Sequence, residues 1–228
     1  MSEPSAARSS TRVKICGCRR AADAITAARA GADYVGLVLA ESIRGVTAEE
    51  AAKIVADLKA ACPDAPARPV GVFVDESTET VRRTAARIGL ATVQLHGLED
   101  PEQCRALRAG GLRVWKAIRP RTPGELATLT DRYVQDVDGI LVEGFSEEAA
   151  GGTGTGIPNA WLRDLFSQHA WSAPPRLILA GGLEPANVAA AIQAVGPDVV
   201  DVSSGVERSP GEKDAELIRA FIAQARQA

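Results

Sequence analysis

Reactive and phosphate-type residues recur in this sequence at one kind of position, the point where a short apolar run gives way to a loop. In chain order the runs end on Cys16, Asp75, His96, Arg119, Glu143, the pair Gly181 and Gly182, and the pair Ser203 and Ser204, while their middles are mostly aliphatic. Three loops are rich in glycine: GGTGTG (151–156), AGGL (180–183) and SSGVE (203–207). Glycines let backbone N–H groups approach an anion closely, and a helix starting after such a loop turns the positive end of its dipole toward it. Gly152, Gly154, Gly181, Gly182, Ser203, Ser204 and Gly205 are therefore the candidate phosphate ligands, although any one of these loops could equally be a plain tight turn.

The runs that carry these groups are RVKIC (12–16), YVGLVLA (34–40), RPVGVFV (68–74), ATVQLH (91–96), RVWKAI (113–118), GILVE (139–143), RLILAG (176–181) and VVDVSS (199–204). Each is short, rich in Val, Ile and Leu, and bounded by Gly, Pro or charge, which predicts strands. Segments between them show apolar residues at helical spacing: Ala51, Ile54, Val55 and Leu58; Val81, Ala85 and Ile88; Leu217, Ile218, Phe221 and Ile222. Thr47 with Glu50 three residues later reads as a capping box.

Strands buried on both faces need covering helices, and parallel strands need right-handed crossovers. Eight strand–helix units over residues 12–228 thus predict one α/β domain, a (β/α)8 TIM barrel, with an open doubly wound sheet as the structural alternative. Residues 1–11 are small and polar without periodicity and are expected to form a short disordered leader. In a barrel, the strand-to-loop ends gather on one rim, which is where such folds keep their chemistry, and the loops after strands seven and eight are the usual phosphate site. Side chains alternate along a strand, so Lys14 shares a direction with Cys16, Gln94 with His96, Leu141 with Glu143, and Asp201 with Ser203. The first and eighth strands become neighbours on closure, so Lys14 and Asp201 are expected to form an ion pair inside.

Composition narrows the function class. A formal charge of -3 with interspersed signs offers no basic stripe for a nucleic-acid backbone. The apolar runs fall far short of the roughly 20 residues needed to cross a bilayer, and no signal peptide opens the chain. A cytoplasmic protein binding neither nucleic acid nor membrane is expected. Four cysteines (Cys16, Cys18, Cys62, Cys104) and two histidines (His96, His169) lack the spacing of a zinc site or a disulfide framework.

KICGCRR (14–20), GVFVDES (71–77), VQLHG (93–97), GGTG (151–154), LAGGL (179–183) and DVSSGVE (201–207), in this order and spacing, resemble the phosphoribosylanthranilate isomerases of tryptophan biosynthesis. The resemblance runs from about Arg12 to the C-terminus and implies an Amadori rearrangement of a small sugar-phosphate substrate without metal or organic cofactor. The substrate, N-(5-phosphoribosyl)anthranilate, would open its furanose ring, lose its C2 proton and become 1-(o-carboxyphenylamino)-1-deoxyribulose 5-phosphate. Carried over by position, Cys16 is the implied general base and Glu143 the general acid, in a place where the family has an aspartate. Arg44 corresponds to the arginine that would fork onto the anthranilate carboxylate. Gln94, His96 and Asp201 are expected to line the substrate pocket, His96 being as readily read as a histidine tied to backbone. Departures cluster around the anthranilate end: Ile43 and Gly45 flank Arg44, and TGIPNAW (155–161) replaces the usual stretch. They leave open a divergent paralogue acting on a related aminoaldose phosphate, or a non-catalytic barrel binding a phosphate ligand. A monomer or homodimer is expected.

Overall fold

The structure, a computed structural model, describes residues 11–64, 67–144, 157–168 and 175–228. The expected leader lies almost wholly outside them, as do Gly152 and Gly154. Strands β1 (Arg12–Ile15), β2 (Tyr34–Val38), β3 (Arg68–Phe73), β4 (Thr92–Leu95), β5 (Arg113–Ile118), β6 (Gly139–Val142), β7 (Arg176–Leu179) and β8 (Val199–Val202) pair in parallel in chain order and close, β8 beside β1. Helices α1 (Ala21–Ala30), α2 (Ala48–Ala61), α3 (Thr78–Ile88), α4 (Pro101–Ala109), α5 (Pro123–Tyr133), α6 (Asn159–Gln168), α7 (Val188–Val195) and α8 (Ala215–Arg226) alternate with them. The barrel is closed, so the open-sheet alternative does not hold.

Alternation along each strand divides the buried side chains into two groups. Tyr34, Val70, Trp115, Leu141, Ile178 and Val199 fill the inside of the barrel, with the Tyr34 and Trp115 rings edge to face at 4.9 Å. Val13, Ile15, Val35, Leu37, Val93, Leu95, Ile140 and Val200 point outward into the shell between sheet and helices. The faces expected of α2 and α3 are buried as read, and in α8 Ile218, Phe221 and Ile222 are buried while Leu217 is half-buried. The Thr47–Glu50 capping box is formed.

Lys14 and Asp201 are register partners across the closing seam, with Lys14 Nζ 2.8 Å from Asp201 Oδ2. Both are buried, and an unpaired charge there would cost several kcal/mol. Most strands end before the apolar run does. Cys16, His96 and Glu143 lie one residue past their strands, yet their N–H groups still donate to the neighbouring strand, to Val202, Phe73 and Ile118 respectively. The ladder thus aims these side chains although they sit at the rim.

Candidate active site

At the C-terminal rim, Cys16, Arg44, Gln94, His96, Glu143 and Asp201 line one cleft of about 390 Å3, with Gly181, Gly182, Ser203 and Ser204 on the same wall system. Sequence reading placed all ten in the site, and the structure brings them together. Gly205 is the exception among the described candidates. It sits in the 3-10 turn Ser204–Val206, where a Cβ would collide with the Leu183 carbonyl, so its bareness lets the β7 and β8 loops touch. Gly181 and Gly182 form the turn after β7 with φ of 85° and 66°. Asp75 also departs from its expected place on the rim: its carboxylate turns to accept the Leu98 N–H at 2.6 Å, and its neighbours Val74 and Glu76 line the cleft instead.

Cys16 is seated against β2 at Gly36, where a Cβ would lie 2.6 Å from its Sγ. Any larger residue at 36 would push the thiol out of the cleft. Burial drives the Cys16 thiol above its usual range, with Lys14 and Lys213 pulling it back down. Lys14 itself is shifted upward: burial is the largest single influence and lowers it, but the charges and hydrogen bonds of Asp201 and Cys16 together outweigh that. Cys18, two residues on, is fully buried, bonded to the Ile15 carbonyl and pushed up to about 12 by burial, an inert thiol of the core.

A chain of hydrogen bonds crosses the barrel mouth. Lys14 Nζ also reaches Gln94 Oε1 at 3.1 Å, Gln94 Nε2 lies 2.9 Å from His96 Nδ1, and His96 Nε2 lies 3.0 Å from Glu143 Oε1. Arg119 Nε donates to the same Glu143 oxygen at 2.5 Å, and its Nη2 donates to the His96 carbonyl. Burial alone would raise the Glu143 carboxyl, but the His96 hydrogen bond and the Arg119 guanidinium hold it down to about 2. At the inner end of the chain, Asp201 Oδ1 is buried with no hydrogen-bond partner among the described residues. A buried acceptor left this way costs on the order of 1–3 kcal/mol until a donor, such as a ligand hydroxyl, arrives.

A second network holds Arg44. Glu207 accepts from its Nε and one Nη, both at 2.8 Å, and also from the buried Lys213 at 2.8 Å and the Gly211 N–H. Lys213 in turn donates to the Ser203 carbonyl at 2.9 Å, while Ser203 Oγ donates to the Cys16 carbonyl. The fork expected for a ligand carboxylate is thus spent on Glu207 along one edge of the guanidinium. Its other edge, the two Nη groups end-on, still presents a pair of parallel donors.

Beyond Lys14, read from sequence only as the ion-pair partner of Asp201, the side chains of Arg119, Glu207 and Lys213 in these networks were not assigned to the site from sequence. Arg119 had a usable signal, its place at the end of β5, and Glu207 closes the SSGVE loop. Lys213 lies in a two-stranded hairpin after β8 (Glu207–Ser209 with Glu212–Lys213), and no spacing points to it. Among the described residues no group of three or more His, Cys, Asp or Glu side chains is arranged to hold a metal ion. No helix among them is long and apolar enough to cross a membrane.

Comparison with known proteins bears on this geometry. The sequence model of the family described as N-(5'phosphoribosyl)anthranilate (PRA) isomerase matches residues 13–224. The N-(5'-phosphoribosyl)anthranilate isomerase of Geobacter sp. (strain M21) is 44% identical over 219 residues, covering 95% of this chain and 98% of that protein. The crystal structure of the Thermotoga maritima phosphoribosyl anthranilate isomerase superposes with a TM-score of 0.83 at 35% identity, covering 96% of this chain and all of that one. A second structure, at TM-score 0.79 and 34% identity over 96% of this chain and all of that one, is of a phosphoribosyl anthranilate isomerase in complex with reduced 1-(o-carboxyphenylamino)-1-deoxyribulose 5-phosphate.

Proposed function

This chain belongs to the N-(5'-phosphoribosyl)anthranilate isomerase family, and from that membership we propose that it performs the Amadori rearrangement of N-(5'-phosphoribosyl)anthranilate in tryptophan biosynthesis, with Cys16 as base and Glu143 as acid. The observation that carries the reading is that a thiol from the end of β1 and a carboxyl from the end of β6, strands that are not neighbours, line one cleft that also takes in the glycine and serine loops after β7 and β8. The phosphate is assigned to the loops at Gly181, Gly182, Ser203 and Ser204, with Gly205 shaping them; the two other glycines read as phosphate ligands, Gly152 and Gly154, lie outside the described residues. The anthranilate carboxylate takes the end-on edge of Arg44. A sugar hydroxyl gives the buried Asp201 Oδ1 its donor.

The steps follow. Glu143 protonates the ring oxygen as the furanose opens to the Schiff base. Cys16 thiolate then removes the C2 proton, and the electron pair left behind makes the enolamine, which tautomerises to the ketone. A carbon-bound proton needs a strong base, and a thiol pushed up by burial is a stronger base once ionised. The protein works in this reading as a cytoplasmic monomer or homodimer, with its four thiols free.

The resting protonation has a consequence for pH. Glu143 at about 2 and Cys16 above its usual range bracket neutrality, so the resting site is carboxylate plus thiol. The reactive form, carboxylic acid plus thiolate, holds the same number of protons, so its share does not change with pH between the two values. We expect kcat/KM to stay within about twofold between pH 6.5 and 8.5, above the second phosphate ionisation near 6; a bell centred in that range would contradict this proton inventory.

The function is tested by mixing purified protein with freshly generated N-(5'-phosphoribosyl)anthranilate and following the fluorescence of its anthranilate group. Loss of the signal at an enzyme-dependent rate, without added metal, is expected. A folded protein that leaves it at the spontaneous rate would refute the reading.

A further inference from the structure

The chain of bonds from Asp201 to Glu143 fixes more than position. Lys14 Nζ carries only donors and bonds both Asp201 Oδ2 and Gln94 Oε1. The oxygen end of the Gln94 amide must therefore face Lys14; the flipped amide would set N–H against an ammonium. That orientation turns the Gln94 NH2 toward His96 Nδ1, so Nδ1 is the acceptor and bears no proton. The single ring proton then lies on Nε2, directed at Glu143 Oε1.

We propose that Asp201, Lys14 and Gln94 form a tautomer lock that holds His96 as a fixed Nε2–H donor to Glu143. His96 and Gln94 are positioning residues in this scheme. His96 cannot itself be the acid, since giving up its only proton would leave an imidazolate. Oε1 of Glu143 receives both the His96 and the Arg119 donors, so the proton passed to the substrate resides on Oε2, and the carboxylate left behind is already solvated by two fixed donors. The inference deepens the assignment of Glu143 as acid and rests on it for its catalytic meaning, though the tautomer itself can be read without any turnover.

The test is ring-nitrogen NMR of the full chain labelled with 15N-histidine at pH 7.5. The sequence has two histidines, and a His169→Gln variant assigns the signals of His96. An unprotonated Nδ1 and a protonated Nε2 are expected. In Gln94→Glu the group facing Nδ1 becomes an acceptor, which draws a proton onto Nδ1, and kcat should fall about 10- to 100-fold with KM within about threefold. A wild-type spectrum with Nδ1 protonated overturns the lock whatever the activity, and an unchanged kcat in a Gln94→Glu protein whose tautomer has moved overturns its role in positioning. Substantial turnover by Glu143→Gln would instead remove Glu143 as the acid while leaving the tautomer assignment standing.

Discussion

Cys16→Ala is expected to lose at least about 10³-fold in turnover while keeping the barrel folded, because it removes the base assigned to the C2 proton. The sulfur packs against Gly36 and is backed by Lys14, and alanine leaves a void of only one atom at a rim position. Such a loss costs on the order of 1 kcal/mol of stability, well inside what a domain of this size tolerates. The other cysteines do not stand in: Cys18 and Cys104 are buried in the outer shell, and Cys62 packs against that shell at the end of α2. Steady-state kinetics and thermal unfolding on the same preparation check this, and turnover within about tenfold of wild type would take the role of base away from Cys16.

Glu143→Gln should lower kcat by about 10²- to 10⁴-fold, the usual weight of a general acid, with KM changed only a few-fold. The amide keeps the shape and an oxygen for Arg119 but has no proton to give. Because the carboxylate that Glu143 leaves behind is held by His96 and Arg119, the change also removes a stabilised product state. Glu143→Asp restores an acid one methylene shorter. A displacement near 1 Å can cost about 10²-fold, so the Asp variant should fall between wild type and Gln. An active Gln variant, or an Asp variant no better than Gln, would exclude a carboxylic acid at this position.

The barrel was legible because each strand is a short β-branched run ending on a turn, and each helix face repeats at the proper spacing. The Lys14–Asp201 pair was legible too, since closure makes the first and last strands neighbours and alternation turns both side chains inward. What the sequence did not show is how the charges would be shared. Arg44 was read as a donor for the ligand alone, but Glu207, 163 positions away, occupies one edge of it. Asp75 sits at a strand end like Cys16 and Glu143, yet a backbone φ of 53° and the Leu98 N–H turn it away from the cleft. Contacts of this kind depend on loop conformation, which carries no periodic signal. His96 illustrates the intermediate case: its place on the rim followed from the run ATVQLH, whereas its proton follows only from Lys14 acting through Gln94.

The most direct measurement is 13C NMR of N-(5'-phosphoribosyl)anthranilate labelled at C2 of the ribose, incubated with wild-type protein and, in parallel, with Cys16→Ala. A ketone carbonyl signal growing from the wild-type reaction, and none above the spontaneous rate from the variant, is the expected result. No ketone from a folded wild-type protein, or a ketone formed as fast by the variant, would contradict an Amadori rearrangement driven by Cys16 and Glu143.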